Sequence, residues 1–295
     1  MDRLIIVGTI ALSVVSCGNS GESAKSDLQK QELSQLQALA DQGNPTAQFK
    51  LGLIHDLGDG VPKNDQEAVA WYRKAAIQGN ADAQFNLGFK YDSGRGVAES
   101  DSEAVQWYRK AAEQGNSGAQ YHLALKYDLG EGVGRSDAQA VEWYRKSAEA
   151  GNPDAQYRLG VKYDLGEGVD KSDADAVSWY RKAATTGVLD AQYALGAMYD
   201  YGEGVARNDL AAMDWYRKAA NRGHRESQYR LGLKYDLGEG VAEDNVQAYK
   251  WITLSANQGS AKAKDGQYIL KQELTFNQLA EAEKLVADWY SKRMP

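Results

Sequence analysis

The stretch Ala155–Asp190, AQYRLGVKYDLGEGVDKSDADAVSWYRKAATTGVLD, decides the fold because its pattern recurs along the chain at one spacing. Six copies align without a gap, starting at Ala47, Ala83, Ala119, Ala155, Ala191 and Ser227. In the first half of a copy, Ala83, Leu87, Gly88 and Tyr91 fall at helical intervals, with Gly88 allowing close backbone approach. Gly94 then ends that helix as a C-terminal glycine. The second half opens at one N-cap register, occupied by Asn64, Ser100, Ser136, Ser172, Asn208 and Asp244. Three residues later stand Glu67, Glu103, Gln139 and Gln247, which predict capping boxes in four copies. Ala104, Trp107, Tyr108, Ala111 and Ala112 trace the apolar stripe of an amphipathic helix, and Gly115 closes it. Asn44-Pro45 and Asn152-Pro153 predict an N-cap with proline in the first turn of the next copy. Each copy therefore predicts a pair of helices.

Outward from the array, residues 47–262, the flanks read differently. Leu28–Gly43 matches only the second half of a copy, which predicts an N-terminal capping helix within residues 27–46. In residues 263–295, Thr275 and Gln278 predict a capping box. It opens a helix carrying Leu279, Ala282, Leu285, Val286 and Trp289, the C-terminal cap that a solenoid requires. Residues 1–16 read as a targeting segment: Arg3 gives a weakly positive start, and Leu4–Val15 is apolar but too short to cross a bilayer, which takes about 20 residues. Val14-Val15-Ser16-Cys17 resembles a bacterial lipobox, which implies acylation of Cys17 as the new N-terminus. Gly18 follows rather than Asp, and by the same resemblance this implies sorting to the outer membrane, facing the periplasm. Residues 17–26 then form the lipidated cysteine and its flexible tether.

Composition narrows the function. The net charge of −7 argues against nucleic acid, whose binding needs a basic face. One cysteine excludes a disulfide framework and a thiolate metal cluster. No two of the three histidines are placed to share a metal, and HExxH, GxSxG, SxxK and a phosphate-cradling glycine loop are all lacking. Neither enzyme activity nor a cofactor is expected.

The recurrence of LG, Y, GxGV, A, WY and AA at one spacing resembles the Sel-one-like repeat, a relative of the tetratricopeptide repeat. The resemblance implies an all-α, right-handed α/α superhelical solenoid of six 36-residue helix pairs with a capping helix at each end. It implies that the ladder Trp71, Trp107, Trp143, Trp179, Trp215 and Trp251 packs in the core, and that the first helices line a concave groove. A cysteine-rich branch of the family is associated with β-lactam hydrolysis. This chain lacks that branch's cysteine pairs, so a hydrolase is a remote alternative.

Two further ladders bear on binding. Asp56, Asp92, Asp128, Asp164, Asp200 and Asp236 each lie two residues before the glycine that ends the first helix, at the negative end of its dipole. Something must compensate. Either cations of neighbouring helices do so, Arg109 and Lys110 and their equivalents, or the ladder forms an acidic edge with Asp59, Glu131, Glu167, Glu203 and Glu239 that receives a basic partner. Calcium is disfavoured because the oxygens recur too sparsely. The groove face carries a strip with two readings, binding or packing between repeats: Tyr121, Leu125 and Leu129; Tyr157, Val161 and Leu165; Tyr193 and Tyr201; Tyr229, Leu233 and Leu237. Cations run beside it: Lys90, Lys126, Arg158, Lys162, Arg230 and Lys234. Copies one and five depart, with Ile54 and Met198 for the lysine, Ala194 for the arginine, His55 for a tyrosine and Tyr201 for a leucine; specificity for one partner would be written there.

The expectation is a non-enzymatic, lipid-anchored, periplasm-facing protein that binds another protein. By family analogy it is an immunity protein against a type VI secretion phospholipase toxin. The alternative is an envelope scaffold for polysaccharide export or cell-wall enzymes.

Overall fold

The computed structural model describes residues 20–293. Met1–Ser16 and Cys17, read above as leader and lipidation site, lie outside the described residues. The helices fall into two compact units, divided between Glu99 and Ser100. The first holds α1 (Ser20–Asp41), α2 (Pro45–Leu57), α3 (Asp65–Ile77) and α4 (Ala81–Ser93). The second holds α5 (Asp101–Glu113), α6 (Ser117–Leu129), α7 (Asp137–Glu149), α8 (Pro153–Leu165), α9 (Asp173–Thr186) and α10 (Leu189–Tyr201). It continues with α11 (Asp209–Asn221), α12 (Arg225–Leu237), α13 (Asn245–Asn257), α14 (Ala261–Glu273) and α15 (Phe276–Ser291). Within each unit, helices pack consecutively in chain order, the all-α helix-pair solenoid that the period implies. Among the described residues there is no strand, and no helix long and apolar enough to cross a membrane.

The start of α1 corrects one reading: residues 20–26, taken as a tether, are helical. Glu22, Ala24 and Lys25 are good helix formers, and extending an existing helix costs far less than nucleating one.

Caps behave as the pattern requires, with one correction. First helices start at Asn44, Asn80, Asn116 and Asn152, whose side chains accept from the N3 backbone amide. His224 does the same through its ring nitrogen, so it is a cap rather than a mere turn residue. Val188 leaves α10 without a side-chain cap. Second helices are capped as expected, but among the described residues the capping box closes only at Thr275–Gln278. The reason is local. The amides of Asn64, Ser136, Ser172, Asn208 and Asp244 already donate to carbonyls of the preceding helix (to His55, Tyr127, Tyr163, Tyr199 and Tyr235), leaving Glu67, Gln139 and Gln247 nothing to bond there.

Close packing joins the two helices of one repeat. Tyr72, Tyr144, Tyr180 and Tyr216 are almost wholly buried, and a Cβ on Gly52, Gly160 or Gly196 would lie 2.4, 2.6 or 2.7 Å from the facing ring. Glycine is therefore what lets the tyrosine lie flat on the first helix. The tryptophans play a lesser part than expected. Trp71 and Trp251 are buried, but Trp107, Trp143, Trp179 and Trp215 are half-buried, each with the lysine three residues on over its ring at 3.6–4.1 Å. The second loop glycine joins successive repeats. Gly132, Gly168, Gly204 and Gly240 have φ of 66–76° and press against the backbone at Asp101, Asp137, Asp173 and Asp209, where a side chain has no room.

The last repeat ends differently. α15 turns back onto α13, packing Val286, Trp289 and Tyr290 against Met213, Tyr216, Trp251 and Leu254.

Gly160→Ala should lower stability by about 1–3 kcal/mol, since the added methyl must displace a packed ring. Ala124, the one alanine at this register, should tolerate Ala124→Gly at a cost of about 0.5–1 kcal/mol. Urea unfolding of the two variants, read by circular dichroism, tests the contrast.

Candidate partner-binding face

Asp56, Asp128 and Asp200 of the aspartate ladder find their compensation, though not in the expected cations. Lys162 Nζ lies 2.5 Å from Asp128 Oδ1, 3.0 Å from Asp137 Oδ1 and 2.8 Å from Glu167 Oε2. Lys234 does the same with Asp200, Asp209 (2.9 Å) and Glu239 (2.6 Å). In the first unit Lys90 reaches Asp56 and Asp65, both at 2.6 Å. Lys126 meets Asp101 at 2.6 Å and Glu131 at 2.9 Å. Each ammonium thus ties its own first helix to the repeat before it. Arg109, expected in that role, donates instead to the Tyr127 hydroxyl, and Lys110 lies over Trp107.

This corrects the placement of four cations. Lys90, Lys126, Lys162 and Lys234 were read as cations flanking the groove; all four are buried. The like charges Arg158 and Lys162 do not meet either, because Lys162 points into the carboxylates while Arg158 lies against Tyr121. The aspartates are half-buried structural anchors as well. Asp128, Asp164 and Asp200 accept from the hydroxyls of Tyr144, Tyr180 and Tyr216 at 3.1–3.2 Å, and Asp92 is half-buried near the end of α4. Burial raises the pKa of those tyrosines above its usual value, with the neighbouring carboxylate adding to it. Hydrogen bonding to lysine holds Asp65, Asp137 and Asp209 below the ordinary carboxylate range. Asp200, Asp209 and Glu239 have the spacing of a cation site, and Lys234 already occupies its centre.

Copy five lacks the lysine. Met198 is buried in its place against Ala176, Val177, Tyr180 and Leu195. Asp173 Oδ1 is left without a hydrogen bond, Lys171 standing 3.2 Å away as an ion pair only.

The strip on the first helices divides in two. Tyr121, Tyr157 and Tyr193 are half-buried and lean on Tyr144, Tyr180 and Tyr216 of their own repeat, centroids 5.8–6.0 Å apart. Arg158 sits by Tyr121 and Arg230 by Tyr193, with Arg230 also 5.6 Å over the Tyr201 ring. Leu125, Val161 and Tyr229 are half-buried, and Val161 and Tyr229 pack on the neighbouring cores. One turn further on, Leu129, Leu165, Tyr201 and Leu237 stand out at 63, 60, 54 and 63% exposure. The first helices α6, α8, α10 and α12 of the second unit therefore each end on one exposed large apolar side chain, beside a row of Glu131, Glu167, Glu203 and Glu239. An apolar row with a charged border has the character of a protein-binding surface. The exposed row was visible in the sequence as the residue before each helix-ending glycine.

One arrangement mimics catalytic geometry. His224 lies 2.9 Å from Ser227 Oγ through Nδ1 and 3.1 Å from Asp190 Oδ1 through Nε2. Ser227 is fully buried in a register held elsewhere by core alanine, so this hydroxyl meets no substrate. The hydrogen bond from His224 holds the Asp190 carboxyl below its ordinary range.

The Sel1 repeat family model matches residues 45–80, 81–116, 117–152, 153–187, 189–224 and 225–260. A Sel1 repeat protein of Oxalobacter formigenes is 34% identical over 81% of this chain and 97% of its own, with a TM-score of 0.66. A protective antigen of uropathogenic Escherichia coli with an SLR fold is 36% identical over 87% of this chain, with a TM-score of 0.63. This chain spans 62% of that antigen's length. The Pseudomonas aeruginosa immunity protein PA5088 is 21% identical over 72% of this chain and 80% of its own, with a TM-score of 0.45, too distant a likeness to carry function. No curated protein matches the chain.

Lys162→Met should cost roughly 2–4 kcal/mol, since it strands carboxylates that the ammonium now pairs. The depressed carboxyls add stability above the ordinary carboxylate range and lose it as pH falls through their lowered values. Wild-type chain should therefore lose stability steeply below about pH 4, with Lys162→Met losing less over that interval. Chemical denaturation at pH 7, 4 and 3 separates the two.

Proposed function

The chain belongs to the Sel1 repeat family, and from that premise we propose that it is a non-enzymatic binding protein of the bacterial envelope, holding a partner protein on its first-helix face. The observation that carries this is the exposed row Leu129, Leu165, Tyr201 and Leu237, which no helix among the described residues covers. Leucines at more than half exposure, repeated at one register, cost solubility and add nothing to the core. The buried lysines and aspartates are anchors, so this reading assigns recognition to the leucine row, Tyr201, Arg158, Arg230 and the loop glutamates. The lipobox-like segment ending at Cys17 supports a lipid anchor facing the periplasm. A tethered binder there suits interception of an incoming toxin, and the role we assign is immunity toward a periplasmic effector of phospholipase type.

Co-expression with a periplasm-directed toxin encoded beside this gene tests that role. Wild type should protect, and Leu129→Asp with Leu165→Asp should abolish protection while leaving the melting temperature within a few degrees, because surface substitutions away from packed features change stability by only about 0.5 kcal/mol. No protection by wild type, together with an envelope defect on deletion, would move the assignment to an envelope scaffold.

A further inference from the structure

The aspartate ladder is met from within the chain in a recurring way, Asp164 keeping only the tyrosine because Met198 stands at its lysine register. An aspartate at this register takes a lysine ammonium 34 residues on, as in Asp56–Lys90, Asp128–Lys162 and Asp200–Lys234. It also takes a tyrosine hydroxyl 16 residues on, from Tyr72, Tyr144, Tyr180 or Tyr216. At Asp236 both partners are gone. The lysine register holds Leu270 and the tyrosine register Ile252, and both aliphatics are buried in the core. Asp236 is left half-buried on the wall of an open cavity of about 470 Å³. Tyr229, Leu233, Ile252 and Ile269 supply apolar walls, while Asp265 and Glu273 add two carboxylates against the single cation Lys262. Burial first, then repulsion from Glu273 and Glu243, raises the Asp236 pKa. Among the described residues no ammonium or guanidinium pairs with Asp236.

We propose that this cavity, between α12, α13 and α14, receives a lysine side chain of the partner protein, with its stem on Ile252 and Ile269 and its ammonium on Asp236. The chemistry is read from the molecule itself, which meets Asp56, Asp128 and Asp200 of this register with an ammonium. Charge complementarity agrees, because the rim carries a net negative charge and the apolar wall matches a four-carbon stem. The inference rests on the protein-binding reading and adds to it a basic anchor residue at the C-terminal end of the leucine row.

The test uses the full chain and the peptide acetyl-Leu-Lys-Leu-amide, with norleucine in place of lysine as control. Binding is followed by NMR through the methyls of Ile252 and Ile269 and the Asp236 carboxyl. The lysine peptide should shift these signals saturably and lower the Asp236 pKa. Binding should weaken at least tenfold with norleucine, and at least tenfold in Asp236→Asn, which keeps the side-chain shape. Equal binding of both peptides would overturn the proposal in favour of a merely apolar cavity. Unchanged binding in Asp236→Asn, or no shift at those methyls, would also overturn it. A dimer in sedimentation that is lost in Asp236→Asn would assign the cavity to a second copy instead. Toxin protection does not enter this test, so failure here leaves the leucine row standing, and failure of protection leaves the lysine cavity to be judged by its own signals.

Discussion

The buried ammonium that joins three carboxylates from two consecutive repeats is the constraint on which much of this molecule depends. Lys162 and Lys234 each reach back to the preceding first helix, to the first residue of the preceding second helix and to the glutamate of their own loop. An aspartate at the C-terminal end of a helix opposes the helix dipole, so it needs a cation close by. Placing that cation on the next repeat turns a local defect into a link between neighbours. The same link removes lysines and aspartates from the surface and leaves recognition to the residues beyond them.

The second constraint is the glycine under the tyrosine ring. Tyr180 on Gly160 and Tyr216 on Gly196 bring the two helices of a repeat closer than any side chain would allow. The tyrosine hydroxyl then reaches the aspartate that the lysine also meets. Packing within a repeat and linkage between repeats thus converge on one carboxylate. Ala124 shows that a single methyl is accommodated at this register, where the Tyr121–Tyr144 pair is more steeply inclined, at 49° against 35° for Tyr157–Tyr180 and Tyr193–Tyr216.

Much of this was legible in the sequence, because repetition multiplies every local signal. The period, the asparagine and serine caps, the left-handed glycines and the Thr275–Gln278 box all follow from residue type and spacing. Spacing could not say which of two adjacent aromatics faces inward, and the ring that lies on glycine proved to be Tyr180 rather than Trp179. Nor could it pair Asp128 with Lys162. Their separation of 34 residues crosses a repeat boundary, whereas helix rules reach only three or four positions. The half-formed capping boxes at Asn64, Ser136 and Asp244 failed for a similar reason, since the competing acceptor belonged to another helix.

Repeat five and the end of the array show what the lysine contributes beyond filling space. Met198 is as well buried as Lys162, and the helices around it pack in the same order. The aliphatic chain therefore suffices for contact. What is lost is directional demand: Asp173 keeps an oxygen with no hydrogen bond, and an exposed loop lysine stands in at 3.2 Å. An ammonium that must meet oxygens from two repeats accepts one register, while a methionine tolerates several. At the last such position, Leu270, directional demand disappears altogether, and the chain beyond it leaves the repeat pattern as α15 turns back onto α13. The array ends where its own aspartate is no longer answered from within, at Asp236, whose lysine and tyrosine registers hold Leu270 and Ile252.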